Sequence, residues 1–61
     1  MQKRIDRVDV GEIVDFKEYS LRVERVLRDG NFVYLEGRKS TDGCPYVRKG
    51  FLYTIEVNIR T

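Results

Sequence analysis

Two segments of alternating apolar and polar residues, 21–27 and 32–39, flank the tetrapeptide Arg28-Asp29-Gly30-Asn31. Asp-Gly between such segments is among the strongest local signals for a β-hairpin, because a two-residue type I′ turn requires φ > 0 at both central positions. Asp tolerates that conformation, and Gly adopts it at no steric cost. The sequence therefore predicts a hairpin with Asp29-Gly30 as its loop. In the register that this loop sets, Arg25 lies opposite Tyr34.

The rest of the chain divides at its glycines into segments of strand length. Its 61 residues allow one domain, residues 1–61. Segment 5–10 fits either a strand or a single helical turn, since Ile5 and Val8 share a helical face. Segment 51–60 alternates most regularly and predicts one long strand, whose core face carries Phe51, Tyr53, Ile55, Val57 and Ile59.

The first arm of the hairpin breaks its alternation at the adjacent apolar residues Val26 and Leu27. Either this strand is buried on both faces near its end, or a β-bulge near Glu24–Arg25 shifts the register. Gly30 and Gly37 are expected at structural positions, the turn and a strand bend. The predicted core consists of Ile13, Val23, Val26, Val33, Leu35, Phe51, Tyr53, Ile55 and Val57, together with Val10 and Leu21.

These patterns predict an all-β domain of about five short antiparallel strands. An open sheet of this size exposes two edges, and closure into a barrel removes them. The segment 10–14, Val-Gly-Glu-Ile-Val, resembles the Gly-acidic-x-Val opening of KOW, Tudor and SH3-like small barrels, and 32–36 resembles one of their central strands. The resemblance covers about residues 8–39 and implies an SH3-like small barrel. An OB-like barrel is the alternative.

The residue inventory argues against catalysis. The chain has no histidine, so it lacks a His general base and a Ser-His or Cys-His pair. Its two serines, Ser20 and Ser40, fall in turns, and its carboxylate pairs are spaced by three residues, which places them on opposite faces of a strand. One cysteine without histidine cannot provide a zinc site. We therefore expect no enzyme activity, no metal and no cofactor.

The lone Cys44 has no partner for an internal disulfide, which fits a reducing compartment and predicts a cytoplasmic protein. The charged segment 1–9 lacks the apolar region of a signal peptide. No apolar stretch approaches the ~20 residues of a membrane span, so we expect no membrane partner.

A basic and aromatic segment offers the best candidate site. Residues 37–61 carry five basic and two acidic side chains, and four of those cations flank the loop 40–45. The candidate binding residues are Phe32, Tyr34, Arg38, Lys39, Tyr46, Arg48 and Lys49. Cations beside exposed rings suit nucleic-acid phosphates and bases, whereas tyrosines with arginines are also enriched at protein interfaces.

The sequence thus predicts a non-catalytic binding module. The favoured function is a protein-interaction or assembly domain, with an unknown protein partner or a homodimer formed through the 51–59 strand. Nucleic-acid binding by segment 38–49 is the alternative. The two functions separate on ionic strength, because phosphate binding weakens steeply with salt.

Overall fold

Six antiparallel strands form one sheet in the order β1-β6-β2-β3-β4-β5. The computed structural model describes residues 1–60. The strands are β1 (Gln2–Arg4), β2 (Ile13–Asp15), β3 (Ser20–Asp29), β4 (Phe32–Lys39), β5 (Tyr46–Leu52) and β6 (Glu56–Arg60), with one 3-10 helix at Ile5–Arg7. The all-β prediction is confirmed, with six strands instead of about five. The sheet is not closed into a barrel, because β1 and β5 remain its two edges.

The β3–β4 hairpin exists, but its loop lies one residue later than predicted. Asp29 pairs with Phe32, so Gly30 and Asn31 form the loop. Gly30 has φ +60°, whereas neither Asp29 nor Asn31 has positive φ. Glycine therefore occupies the first central position, as a type II′ turn requires. The shift places Leu27 opposite Tyr34, and the predicted pairing of Arg25 with Tyr34 is wrong.

A β-bulge interrupts β3 where the sequence allowed one. The register between β3 and β4 shifts between Val23 and Arg25, which confirms the bulge near Glu24–Arg25. Gly37 pairs with Val23 beside it. A Cβ atom at position 37 would lie 1.9 Å from the carbonyl oxygen of Arg22, so only glycine fits there. The bulge and the close approach at Gly37 together bend the sheet at this point.

The core lies on one side of the sheet and is aliphatic. Its buried members are Ile5, Val8, Val14, Leu21, Val23, Val33, Leu35, Val57 and Ile59. Five predicted core residues are confirmed, namely Leu21, Val23, Val33, Leu35 and Val57. Three others, Ile13, Val26 and Phe51, are only half-buried. The prediction is wrong for Val10, Tyr53 and Ile55, which are exposed.

A turn inside segment 51–60 explains two of these errors. The segment is not one strand, because β5 ends at Leu52 and β6 begins at Glu56. Ile55 N–H donates to the Leu52 carbonyl at 3.1 Å, which closes the turn and exposes Tyr53 and Ile55. β6 then lies between β1 and β2. Residues 56–60 therefore have no free edge for the homodimer expected through the 51–59 strand.

The segment before β2 completes the core from the end of the sheet. Of the two alternatives for segment 5–10, a strand or a helical turn, the structure has the helical turn, a 3-10 helix at Ile5–Arg7. Ile5 and Val8 are both buried, as their shared helical face implies. Ile5 N–H donates to the Ile55 carbonyl at 2.7 Å, which ties the helix to the β5–β6 turn. None of the described residues forms a helix with the length and apolar character that a membrane crossing requires.

Candidate functional site

Strand alternation divides the predicted binding residues between the two sides of the sheet. We call the side opposite the buried Val33 and Leu35 the outer face. Five of the predicted binding residues lie on the outer face of β4 and β5: Phe32, Tyr34, Arg38, Tyr46 and Arg48. Arg38 pairs with Tyr46, and the other three pair with further outer-face residues. Lys39 and Lys49 lie on the core side, since they pair with Leu21 and Leu35. The seven residues therefore lie on two opposite faces of the sheet.

Three arginines align across the outer face, and we call them the arginine row: Arg60 on β6, Arg22 on β3 and Arg38 on β4. Ile13 on β2 pairs with both Arg60 and Arg22. Arg22 pairs in turn with Arg38, and Arg38 with Tyr46. Neighbouring strands lie about 4.8 Å apart, so the row runs straight across the sheet toward an exposed tyrosine.

The loop 40–45 forms one wall of a cleft beside this row. The cleft has a volume of about 490 Å³, and its lining includes the arginine row, Lys39, Glu24 and the loop residues Gly43 and Cys44. Four cations and one carboxylate therefore line it. Arg38 Nη1 donates to the Cys44 carbonyl at 3.3 Å, so the same arginine lines the cleft and contacts the loop.

The three arginines differ in their counter-ions. Arg60 Nη2 lies 2.7 Å from both Asp15 Oδ1 and Ser20 Oγ. The Ser20 hydroxyl, which donates to Asp15, and then Arg60 hold the pKa of the Asp15 carboxyl below its usual value. Arg38 Nε lies 3.9 Å from Glu24 Oε2. Within residues 1–60, no carboxylate oxygen lies within 4.0 Å of a charged nitrogen of Arg22. Arg22 is thus the cation of the row best placed to accept an external anion.

Arginines also lie over the two tyrosines of the outer face, of which Tyr46 is exposed and Tyr34 half-buried. The Arg38 guanidinium is 5.2 Å from the ring centre of Tyr46, and that of Arg48 is 4.5 Å from Tyr34. The Tyr46 hydroxyl donates to Glu36 Oε1 at 3.0 Å, and this bond raises the pKa of Tyr46. These contacts hold both rings in fixed positions.

Gly50 makes room for one of those rings. It pairs with Tyr34, and a Cβ atom at position 50 would lie 2.6 Å from the Tyr34 ring. The ring therefore covers bare backbone on β5. The position of this ring explains why β5 has a glycine in its middle, where the alternation of the strand does not itself require one.

The core-side lysines belong to a second site, the lysine–aromatic cluster, made of Lys39, Lys49, Phe16, Tyr19 and Phe51. Lys39 Nζ is 4.4 Å from the Tyr19 ring centre. Lys49 Nζ is 5.0 Å from that of Phe16, 5.6 Å from Tyr19 and 5.8 Å from Phe51. Phe16 stacks on Phe51 at 5.6 Å. Among residues 1–60, neither ammonium has a carboxylate within 4.0 Å.

An exposed apolar end lies at the tip of the β3–β4 hairpin. Phe32 pairs with Leu52, and the two side chains are 47% and 48% exposed. Tyr53 and Ile55 follow in the adjoining turn, where Tyr53 N–H donates to the Asn31 carbonyl at 3.0 Å. We call these four residues the apolar end. Phe32 thus belongs to a different part of the outer face from the arginine row.

Sequence reasoning missed Arg22, Arg60 and the rings of Phe16 and Tyr19. Alternation alone places Arg22 outside, because Leu21 and Val23 face the core. Its alignment with Arg60 depends on a pairing between residues far apart in the chain, which no local pattern records. Phe16 and Tyr19 flank a short turn, and Phe16 N–H donates to the Tyr19 carbonyl at 2.9 Å, which brings the two rings together.

No family model, curated protein or solved structure matches this chain. Within residues 1–60, no three His, Cys, Asp or Glu side chains gather closely enough to hold a metal ion. The functional conclusion therefore depends on the two cationic sites and the apolar end.

Proposed function

We propose that this domain is a non-catalytic binding module that binds a nucleic-acid backbone through the arginine row. The observation that carries the proposal is the alignment of Arg60, Arg22 and Arg38 along one cleft, with Arg22 lacking a counter-ion among residues 1–60. Guanidinium groups bind phosphate oxygens through paired hydrogen bonds, and such contacts supply most of the affinity for nucleic acids.

Tyr46 supports the same proposal at the end of the row. Its ring is exposed, and its hydroxyl is already bonded to Glu36, so the ring position is set before any partner arrives. Bases stack on aromatic rings of this kind irrespective of sequence. A phosphate backbone along the arginines would bring a base to Tyr46, which lies next to Arg38 on the neighbouring strand.

The salt dependence of binding tests this function. The three phosphate contacts of the arginine row alone give a slope of log K against log salt of about −2.1 for a single strand, which is about an 18-fold loss between about 50 and about 200 mM salt and the least that this function requires. Fluorescence anisotropy with a labelled oligonucleotide measures it. We expect Arg22→Gln to weaken binding and to reduce the slope by about one contact.

Arg7→Gln is the matched control for this experiment. Arg7 is exposed in the 3-10 helix, outside the cleft lining, and its loss changes the net charge by the same amount. Absence of binding at the lower salt concentration would contradict the proposal. So would an equal loss of affinity in the Arg7→Gln and Arg22→Gln variants, because that result would indicate attraction by net charge alone.

We also propose that the sheet is an SH3-like small barrel that has opened between β1 and β5. Support comes from β6, which returns from the end of the β2–β5 meander to pair with β2, and from the bend at Gly37. Bends of this kind allow small sheets to curl toward closure. Nuclear Overhauser contacts between the β1 and β5 backbones would establish closure in solution, and their absence from an assigned spectrum would exclude it.

A protein-interaction or assembly domain is the second candidate, and the apolar end favours it. Four large apolar side chains, each at least 40% exposed, adjoin one another there. Exposed apolar groups clustered in this way mark protein contacts, which depend little on salt. Sedimentation velocity tests self-association directly. We expect Leu52→Ser to abolish any dimer, whereas a dimer that survives this change would place the contact elsewhere.

The exposed, unpaired thiol of Cys44 supports a reducing compartment, and we propose the cytoplasm.

A further inference from the structure

We infer that the nucleic acid is single-stranded and continues from the arginine row, around the end of β4, onto the lysine–aromatic cluster. This inference rests on the proposed function and names its substrate class. Its basis is Lys39, which lines the cleft beside Arg38 while its ammonium lies 4.4 Å from the Tyr19 ring centre. One lysine therefore belongs to both cationic sites.

The cationic path crosses from one side of the sheet to the other within a single residue step. Arg38 and Lys39 are neighbours on β4, about 3.3 Å apart along the strand, and point to opposite faces. Beyond Lys39, the Lys49 ammonium approaches the same Tyr19 ring, at 5.6 Å from its centre. The path thus runs through Arg60, Arg22, Arg38, Lys39 and Lys49. On the core side Glu18 lines the same depression as Lys49, but among residues 1–60 no carboxylate lies within 4.0 Å of either lysine ammonium.

Both lysines are available to phosphates. They lie over aromatic rings instead of in ion pairs, and a ring face competes with a phosphate for an ammonium far less than a carboxylate does. The rings of Phe16 and Tyr19 are half-buried against the core, but both line a surface depression that also includes Lys49. Tyr46 on the outer face and Tyr19 on the core side therefore offer a stacking position on each side of the path.

A duplex cannot follow this path. The domain measures 32 × 22 × 19 Å, so its thickness corresponds to about six base pairs at 3.4 Å each. Double-stranded DNA is stiff over about 150 base pairs and bends smoothly only over much longer distances. It would contact the arginine row alone. A single strand turns freely and has unpaired bases for Tyr46 and Tyr19.

The test compares a single strand of about 12 nucleotides, within the roughly 4–16 that a small barrel covers, with a duplex of the same sequence. Five contacts give a salt slope of about −3.5 for the single strand, or about a 130-fold loss of affinity between about 50 and about 200 mM salt. In the double variant Lys39→Gln/Lys49→Gln, we expect a slope of about −2.1, or about an 18-fold loss. The single variant Lys49→Gln removes a cation outside the cleft lining and should leave the affinity for the duplex unchanged.

Two further variants control for charge. Lys39→Arg/Lys49→Arg keeps both cations and should retain single-strand affinity. Arg7→Gln/Arg28→Gln removes two exposed cations that line neither site and should leave the slope unchanged. Circular dichroism of each variant establishes that the sheet is intact.

The outcomes separate the inference from the function on which it rests. If binding is lost in Arg22→Gln but unaffected in Lys39→Gln/Lys49→Gln, the inference is overturned and the proposed function stands. The inference also fails if the duplex binds as tightly as the single strand with the same salt slope. If neither nucleic acid binds at the lower salt concentration, the proposed function fails, and the inference fails with it.

Discussion

Replacement of Gly37 by Ala tests the tightest contact in the fold. The added Cβ would lie 1.9 Å from the Arg22 carbonyl oxygen and 2.8 Å from its carbon, both backbone atoms. Real Cβ atoms essentially never approach closer than 3.0 Å, so β4 must move away from β3 by about 1 Å. That movement disturbs the bulge, which lies immediately beside the Val23–Gly37 pair.

The expected loss is large relative to the stability of the domain. Separation of the strands weakens about two ladder hydrogen bonds, at about 1 kcal/mol each. It also loosens packing around the buried Val23 and Leu35, which typically costs about 1–3 kcal/mol. A total of about 3–5 kcal/mol compares with roughly 3–9 kcal/mol for a whole domain of 61 residues. We therefore expect Gly37→Ala to lose between about a third and all of the stability of the domain.

Gly30→Ala is the matched control, because its cost has a different origin. A Cβ at position 30 meets no atom within 4 Å, but the backbone has φ +60°. A left-handed conformation costs a residue with a side chain about 1–2 kcal/mol, and we expect the melting temperature to fall by about 4–8 °C per kcal/mol. Urea denaturation followed by circular dichroism measures both variants. The reasoning is refuted if Gly37→Ala proves at least as stable as Gly30→Ala.

Three further outcomes check the packing, the outer face and the ion pairs. Leu35→Ala, at a fully buried position, should lower the free energy of unfolding by about 2–5 kcal/mol, whereas Ile55→Ala, at 40% exposure, should lower it by less than about 1 kcal/mol. Equal losses of unfolding free energy in urea denaturation would mean that Ile55 is packed in the core as Leu35 is. A double-mutant cycle between Arg48 and Tyr34 should show a coupling of about 0.5–1 kcal/mol, and additive effects would mean that the observed stacking stabilises nothing. Because the pKa of Asp15 is lowered in the folded state, its contribution to stability is present above its unfolded pKa, 3.8, and is lost as the pH falls through the folded value. Asp15→Asn should therefore lose more stability at pH 7 than at pH 2, and an equal loss at both pH values would argue against this linkage.

Local patterns predicted the hairpin and a structural role for Gly37, and the adjacent apolar residues Val26 and Leu27 left a β-bulge as one of two explanations. The same patterns placed the loop one residue early, since Asp29-Gly30 and Gly30-Asn31 are both two-residue loops and only φ distinguishes them. A one-residue slip changes every cross-strand partner. For this reason Tyr34 was expected opposite Arg25. It instead pairs with Leu27, and its ring is covered by Arg48.

The core predictions failed where a turn interrupts a regular alternation. Segment 51–60 alternates without a break, yet its backbone turns after Leu52 and the phase restarts at Glu56. In β2, Val14 faces the core and Ile13 the cleft, a choice made by the pairing with Leu21 and Ile59. A three-residue strand with two apolar neighbours carries no internal signal that decides between them.

Local sequence patterns predicted only part of the candidate site, because they do not record which strands pair. Composition identified the cations of segment 38–49 but did not decide whether they share one surface, because adjacent residues on a strand face opposite ways. Arg38 and Arg48 therefore separate from Lys39 and Lys49. The arginine row needed Arg22 and Arg60, which join Arg38 only through the register of β2, β3 and β6.

The edge position of β5 helps to choose between the two candidate functions. β5 pairs only with β4, so its other side presents unpaired backbone groups with which a second sheet edge can pair. Arg48 and Lys49 occupy the middle of this strand, and both are exposed. Charged side chains at such positions disfavour edge-to-edge pairing, because association brings like charges together and removes them from water. Self-association through β5 is thereby opposed, which leaves the apolar end and the short edge strand β1 for a protein partner. The two cations that protect this edge, Arg48 and Lys49, also lie over aromatic rings on opposite faces of the sheet. A nucleic-acid strand would neutralise their charge, whereas a second copy of the chain would add like charge.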